Sequence, residues 1–233
     1  MTRLTFEALH AHRELIDAMV AGARRERSKA IGALIARALR WLMWREPARP
    51  ARAAVADGCS LRPAQGTAKI AIRTARTGDR DRVQALVRGL SPKSRHLRFF
   101  SGIRELSPRW LERFTRDGTG DEVTLLALAP IKGEEVAVGM AQYAGGPHQG
   151  HGELAIVVAD DWQGMGIATR LINQIVCVSR KAGVTRLEGE VLAENQRMLR
   201  LARGLGFRIE QAPDNPMSLR AYLAVSDPRW QCA

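Results

Sequence analysis

Apolar and polar residues alternate along residues 68–225 in a way that predicts one domain built from strands and helices. Runs with a two-residue period predict strands, and runs with a helical period predict helices that have one apolar face. The predicted strands are residues 69–73, 122–129, 135–144, 152–159, 186–192, 208–211 and 217–225. The predicted helices are residues 79–89, 170–181 and 195–204. Lys132 and Gly133, between the second and third strands, predict a hairpin turn.

A glycine-rich segment joins the fourth predicted strand to the helix predicted over residues 170–181. The apolar run 154–158 is followed by residues 162–169, which read Trp-Gln-Gly-Met-Gly-Ile-Ala-Thr. The first N–H groups of a helix have no partner within the helix, and together with the helix dipole they form an anion site. Glycines allow the backbone to approach a ligand closely. The segment therefore predicts a site for a phosphate-bearing ligand, with an ordinary strand-to-helix turn as the alternative.

The spacing of this segment distinguishes between phosphate loops. A Walker loop needs a lysine that is absent here, and Thr169 stands where a dinucleotide loop needs a third glycine or alanine. The pattern of Gln163, Gly166 and Ala168 resembles the coenzyme A pyrophosphate loop of the GNAT N-acetyltransferase superfamily. Residues 91–100 also resemble the second helix of GNAT domains related to bacterial protein lysine acetyltransferases, and Gly206-Phe207 resembles a turn near the superfamily's C-terminus.

This resemblance implies an α/β (α+β) fold, with a mixed, mostly antiparallel central sheet flanked by helices. It implies acetyl-CoA as the cosubstrate and a fourth strand splayed from the next one, so that the pantetheine arm pairs with the free strand edge. The implied contacts to the arm are Ile156, Val157 and Val158, with the Val157 N–H holding the carbonyl oxygen. The implied pyrophosphate contacts are Gln163, Gly164, Met165, Gly166, Ile167, Ala168 and Thr169. Asn195 is expected to contact the arm and also to cap the last helix.

Amide formation from a thioester needs a neutral amine and hence a base. A free lysine, whose pKa is about 10.4, is neutral only about once in 2,500 molecules at pH 7. Glu153 is the first candidate base, because it stands where related acetyltransferases have a strand glutamate and shares a strand face with Ala155 and Val157. A solvated or ion-paired glutamate is the alternative, and Glu190 on the next strand is the second candidate.

Other polar residues add little to this prediction of the chemistry. His148 and His151 can titrate near neutral pH, but histidines in loops more often have no catalytic role. Many superfamily members carry a tyrosine on the last helix, seven residues after the asparagine, as proton donor to the leaving thiolate. That position is Ala202 here, so the donor is absent. An ordinary thiol with a pKa near 8.5 is still a tolerable leaving group.

Composition divides the chain. We predict a basic amphipathic helical extension over residues 1–46, an Ala/Pro/Arg-rich linker over 47–67, the GNAT domain over 68–227 and a tail over 228–233. Residues 1–67 contain 12 basic and 6 acidic residues. Their net charge of +6 is half of the formal net charge of +12 of the whole chain. Such a helix can pack on its own domain, bind a protein partner or lie on an anionic membrane surface. No base-reading module accompanies it, so no specific nucleic acid is expected.

Three separated cysteines, Cys59, Cys177 and Cys232, predict neither a disulfide framework nor a metal site, and Cys177 is expected to be a buried structural thiol. The absence of a membrane-spanning run or secretory signal predicts a cytoplasmic location, with peripheral membrane contact left open. Three functions remain: a protein lysine N-acetyltransferase, a small-amine N-acetyltransferase, and a non-catalytic acyl-CoA sensor that acts through the N-terminal helix.

Overall fold

The computed structural model describes residues 70–117, 122–145, 150–213, 215–227 and 230. Within them the chain forms seven strands and five helices. The strands are β1 Ala71–Thr74, β2 Glu122–Ile131, β3 Glu134–Gly145, β4 His151–Val158, β5 Arg186–Leu192, β6 Arg208–Gln211 and β7 Ser218–Ala224. The helices are α1 Arg80–Gly89, α2 Pro92–Phe99, α3 Pro108–Thr115, α4 Ile167–Lys181 and α5 Gln196–Gly204. Short 3-10 turns cover Thr77–Asp79 and Asp160–Trp162.

The strands form a single sheet in the order β1-β2-β3-β4-β5-β7-β6. Every neighbouring pair is antiparallel except β4 and β5, which run parallel. The predicted hairpin between β2 and β3 turns at Lys132 and Gly133, both of which have positive φ. Glycine adopts this backbone conformation without strain, which explains its place in the turn. The mixed, mostly antiparallel sheet confirms the predicted fold class.

Each face of the central strands is covered by different helices. Leu171, Ile172 and Ile175 of α4 share one buried core with Tyr143 and Leu154. Gln142 points to the opposite face, because side chains alternate along β3, and Arg98 of α2 reaches it there. On that second face α2 contacts β4, while α1 contacts β3. Helix α4, which follows the glycine-rich segment, and helix α2, which carries Arg98, therefore lie on opposite sides of β4.

The predicted elements agree with the structure to within a few residues, and strands β5 and β6 have the predicted bounds. Helix α3 was not predicted. Its serine cap at Ser107 and Pro108 in its first turn are helix-start signals, but a segment of only eight residues gives a weak periodic pattern. The predicted extension over 1–46, the linker over 47–67 and all of the predicted tail except Trp230 lie outside the described residues.

Cys177 differs from its prediction. It is half-buried on α4 and disulfide-bonded, so the expectation of a free buried thiol was wrong. In the part of the chain that the structure describes, no helix has the length and apolar character to cross a membrane.

Candidate active site

Strand β4 is paired along nearly its whole length on one edge and only partly on the other. Toward β3 the register runs from Gly139 opposite Val158 to Gly145 opposite Gly152. Toward β5 only three pairs form, and the last joins Glu153 to Glu188. Beyond that point β5 stays paired with β7 as far as Leu192. The second half of β4 therefore turns its backbone toward an opening between β4 and β5, which we call the cleft.

Gly189 marks the closed end of the cleft. A Cβ atom built there would lie 2.8 Å from the carbonyl oxygen of Leu154, closer than real Cβ contacts allow. Only a residue without a side chain permits this approach without a backbone shift. The ladder between β4 and β5 ends at Glu153, and the two backbones are still close at Leu154 and Gly189, so the expected splay begins after Leu154.

The register also decides which backbone groups of β4 face the cleft. The Ala159 N–H donates to the Val138 carbonyl at 2.9 Å, which is toward β3. Because backbone direction alternates along an antiparallel strand, the Val157 N–H also faces β3. The groups of Leu154, Ile156 and Val158 then face the cleft, and the Val158 carbonyl does accept a bond from the Gln163 side chain at 3.1 Å. From the sequence, the Val157 N–H is expected to donate to the cofactor's carbonyl oxygen. The register points this N–H toward β3, so the neighbouring N–H groups face the cleft instead.

The glycine-rich segment has the conformation of an anion site. Gly164 and Gly166 both have positive φ, and both are exposed. Helix α4 begins at Gly166 without a side-chain cap. By contrast, α2, α3 and α5 each begin with a serine or asparagine whose side chain accepts a backbone N–H. The first N–H groups of α4, those of Ile167, Ala168 and Thr169, are therefore available to an anion.

Arg197 of α5 adds a positive charge beside this segment. Its Nη1 donates to the Oε1 atom of Gln163 at 2.7 Å. Its Nη2 would lie 3.0 Å from a Cβ built at Gly164. Gln163 itself joins three elements, because its Nε2 also donates to the Val158 carbonyl and, at 3.4 Å, to Ser94 Oγ. The Gln163 side chain thus shapes the loop, while Arg197 supplies the cation.

Glu153 lies at the last rung of the β4–β5 ladder, half-buried on the face that α2 covers. Arg98 of α2 approaches this face, and its Nη2 donates to Gln142 Oε1. Burial lowers the pKa of Arg98 to about 10, and the charge of Glu153 opposes that fall. The Arg98 Nε–H is buried without a hydrogen-bond partner among the described residues. A carboxylate and a buried guanidinium therefore lie on the same face of the sheet, near the closed end of the cleft.

The second candidate base occupies a different setting. Glu190 lies two residues beyond the partner of Glu153, on the same face of the sheet. It accepts a hydrogen bond from Ser218 Oγ and lies opposite Arg220 on β7. His151 stands at the start of β4, opposite Arg186 and away from the loop. His148 lies outside the described residues. Of these groups, Glu153 is the carboxylate next to the point where the strands separate.

Helix α2 is fastened to the strand-to-loop junction by Asp160. The Asp160 carboxylate accepts the Ser91 N–H and Ser91 Oγ at 2.9 Å each, and Ser94 Oγ at 2.7 Å. Although burial opposes it, these bonds lower the pKa of Asp160. The start of α2 is thus held beside the glycine-rich segment while its far end carries Arg98 toward Glu153.

Two positions on α5 fit the sequence-based expectations in part. Asn195 caps the helix, since its Oδ1 accepts the Met198 N–H at 3.2 Å. Its contact with a cofactor arm stays a prediction. Ala202 is 1% exposed and belongs to the α4 core. A tyrosine side chain at that position would have to displace buried neighbours, so the missing proton donor is consistent with the packing here.

Sequence reasoning missed Arg98, Asp160 and Arg197. All three act through side-chain contacts with residues distant in sequence, such as the 69 positions between Ser91 and Asp160. Ser91 and Pro92 gave a local signal for the start of α2, but nothing in the local pattern showed where the helix docks.

Comparison with known proteins now adds to this geometry. The profile of the acetyltransferase (GNAT) family matches residues 93–207. A curated relative, Acetyltransferase PA5475 of Pseudomonas aeruginosa, is 32% identical over 156 residues, which cover 67% of this chain and 84% of the relative. The GNAT domain of S. lividans PAT has a TM-score of 0.61 at 26% identity, covering 66% of this chain and 90% of that one.

A more distant likeness supports the fold alone. The structure of yncA, a putative acetyltransferase from Salmonella typhimurium with its cofactor acetyl-CoA, has a TM-score of 0.52 at 16% identity. The match covers 68% of this chain and 95% of that one. The described chain belongs to the GNAT family of acetyltransferases, and it is therefore an enzyme of the acyltransferase class.

Proposed function

We propose that this acetyltransferase transfers the acetyl group of acetyl-CoA to a primary amine, by direct attack of the amine with Glu153 as the general base. The observation that carries the proposal is the cleft itself. A free strand edge, an uncapped helix start and a carboxylate at the last paired rung lie along one strand-loop-helix segment. This arrangement suits a ligand with a pyrophosphate at one end and a reacting carbonyl at the other.

The cosubstrate is proposed to lie along the cleft. The N–H groups of Ile167, Ala168 and Thr169 and the guanidinium of Arg197 would hold the pyrophosphate. The backbone groups of Ile156 and Val158 would pair with the pantetheine arm. A backbone N–H of Leu154 or Ile156 would stabilise the carbonyl oxygen as negative charge develops on it. Support for acetyl-CoA comes from yncA, whose structure contains it.

The chemical step then needs one proton transfer at the amine. The amine nitrogen bonds to the thioester carbonyl carbon, the carbon–sulfur bond breaks, and the proton lost by nitrogen goes to the Glu153 carboxylate, directly or through water. Coenzyme A departs as a thiolate. Because Ala202 replaces the tyrosine donor, water is proposed to protonate that thiolate, which an ordinary thiol pKa permits.

The acceptor is proposed to be a protein lysine. The support is the likeness of the described domain to the GNAT domain of S. lividans PAT and the resemblance of residues 91–100 to the same group of acetyltransferases. A small primary amine is the second candidate for the same chemistry. An acyl-CoA sensor that acts through the N-terminal helix is less well supported, because Glu153 and a complete loop are both present.

Thiol release from acetyl-CoA tests these alternatives directly. The full chain is incubated with acetyl-CoA and a panel of lysine-containing proteins, lysine peptides, polyamines and amino sugars, and acetylated products are located by mass spectrometry. A lysine acetyltransferase gives release that depends on the protein or peptide, with acetyl groups on lysine side chains. Release confined to polyamines or sugars selects the small-amine function. Tight acetyl-CoA binding without release from any acceptor contradicts the enzymatic proposal.

A further inference from the structure

We propose that Arg98 is a positioning residue for Glu153, held against β3 by Gln142 so that it keeps the Glu153 carboxylate ionised at the closed end of the cleft. This inference rests on the proposed function, in which Glu153 is the base. Arg98 is not itself proposed to touch the acetyl group or the amine.

Arg98 is held at its tip by a chain of buried polar side chains. Its Nη2 donates to Gln142 Oε1, and the Gln142 Nε2 lies 3.5 Å from Thr124 Oγ1. Gln142 is 5% exposed and Thr124 is 8% exposed, so this chain of polar groups crosses β3 and β2 inside the protein. Two uncharged polar residues on neighbouring strands, Gln142 and Thr124, therefore form the buried site to which Arg98 binds.

One donor of Arg98 makes no hydrogen bond to the described protein. Its Nε–H is buried without a hydrogen-bond partner among the described residues. A buried donor without an acceptor destabilises the folded protein, so a purely structural arginine would be expected to use it. At a second position in the described chain, Arg73, two guanidinium nitrogens bond to one carboxylate. Arg98 is held at its tip by Gln142, and its guanidinium carbon lies 4.8 Å from the centre of the Phe99 ring.

Arg98 docks close to the charge of Glu153. Gln142 lies opposite Ala155, and Ala144 lies opposite Glu153, so Arg98 docks one alternation step from the carboxylate. The nearby charge of Glu153 opposes the fall in the pKa of Arg98 that burial causes. By the same Coulomb interaction, the guanidinium favours the ionised form of the carboxylate.

Two further carboxylates lie near Glu153 on the same face of the sheet. On β5, Glu188 lies directly opposite, and Glu190 follows two residues later. On its own strand, His151 is two residues away, while β3 offers only uncharged Gln142 and Ala144 on that face. Arg186 on β5 lies 3.9 Å from Glu188 and 4.0 Å above the Tyr222 ring, so its charge is engaged there.

Helix α2 fixes the position of this charge from its other end. Asp160, at the end of β4, receives three hydrogen bonds from Ser91 and Ser94. The same helix is thus tied to the cofactor loop at its start and to the sheet beside Glu153 near its end. Binding in the loop and ionisation of the base are expected to be linked through α2.

Titration of Glu153 tests the proposal without any acceptor. The difference infrared spectrum between the full chain and Glu153→Gln isolates the Glu153 carboxylate band. This band is followed from about pH 3 to about pH 8, a range that brackets the ordinary pKa of a glutamate. Arg98→Met should raise the titration midpoint by about one pH unit or more, since the opposing charge is lost. Arg98→Lys keeps the charge and should move it much less. The matched control is Lys93→Met, which removes an exposed charge from the same helix.

An unchanged midpoint in Arg98→Met, or the same shift in Lys93→Met, would overturn the proposal. If Arg98→Met does not fold, Gln142→Met removes the acceptor that holds Arg98 and should give a smaller upward shift; no shift in that variant also overturns it. The proposed function fails separately, through near-normal thiol release by Glu153→Gln with a lysine peptide as acceptor. That result would leave the titration data valid while removing the catalytic role of Glu153.

Discussion

Two carboxylates of this protein, Asp79 and Glu153, lie beside arginines but in opposite kinds of surroundings. Asp79, at the corner between β1 and α1, is 1% exposed and accepts bonds from Arg73 at 2.7 and 2.9 Å. It also accepts the Arg76 N–H at 2.8 Å and Arg82 Nη1 at 3.0 Å. Glu153 is half-buried at the cleft, and Arg98 beside it keeps a buried N–H without a partner among the described residues.

The difference separates groups that stabilise the fold from groups kept for a ligand. At the β1–α1 corner, four donors share two carboxylate oxygens, which leaves little capacity for anything else. At the cleft, the described chain leaves the start of α4 uncapped and the edge of β4 unpaired beyond Glu153. Such open polar groups cost stability. They are therefore expected where a bound molecule completes them, and four predictions test that contrast.

The largest effect is expected at Glu153. Glu153→Gln keeps the shape of the side chain but cannot take a proton, so the rate should fall by roughly 10²–10⁴-fold while acetyl-CoA affinity stays near normal. Steady-state thiol release and calorimetry measure the two quantities. The control is Glu188→Gln, one strand away, which should lose far less activity. A fall of less than about tenfold in Glu153→Gln would move the base to Glu190 or to water.

Gly166→Glu should have the next largest effect, on binding rather than on rate. Nothing lies within 4 Å of a Cβ at this position, so the added carboxylate points into open space at the helix start and repels phosphate. Acetyl-CoA affinity should fall by about 100-fold or more, measured by calorimetry. Gly133→Glu in the hairpin is matched for positive φ and open surroundings, and it should bind normally. Equal loss in both variants would indicate strain rather than a phosphate site.

Asp79→Asn should affect stability and leave the chemistry alone. The Arg73 hydrogen bonds, aided by Arg76 and Arg82, lower the pKa of Asp79 to about 2 from 3.8. A carboxylate with a lowered pKa contributes stability that is present above about pH 4 and is lost as the pH falls toward 2. The contribution at neutral pH is about 2 kcal/mol. Denaturant unfolding at pH 7 should show that loss, with acetyl-CoA affinity unchanged.

The same substitution predicts a pH-dependent result. The stability difference between the original chain and Asp79→Asn should shrink as the pH falls from about 4 to about 2, because both then carry an uncharged side chain at this position. A difference that stays constant over this range would mean that the charge of Asp79 does not stabilise the corner.

The smallest effect is expected at Arg197. Arg197→Met removes a cation beside the loop, and acetyl-CoA affinity should fall by roughly 3- to 10-fold at low salt, with the difference decreasing as salt rises. Arg197 is exposed, which limits the strength of its interaction with phosphate. Arg200→Met, an exposed position on the same helix, is the matched control. Equal affinities in the two variants would remove Arg197 from the cofactor site.

The local structure of this chain could be predicted from its sequence with little error. Strands 186–192 and 208–211 and the turn at Lys132 and Gly133 follow from periodicity and turn chemistry, whereas helix α4 begins three residues before the predicted start at Arg170. These signals act between near neighbours, so they survive without knowledge of the fold. The fold class followed because the order of those elements resembled one superfamily.

The cleft and its charges were decided only by tertiary structure. Pairing between β4 and β5 stops at Glu153, and the Val157 N–H faces β3, because of the sheet register. Arg98 meets Gln142 across 44 residues of sequence. Periodicity shows which face of an element is apolar, but not which other element covers it or where a ladder ends. Those facts depend on packing among distant segments, which is why the sequence determined the carboxylate at position 153 and the fold determined what surrounds it.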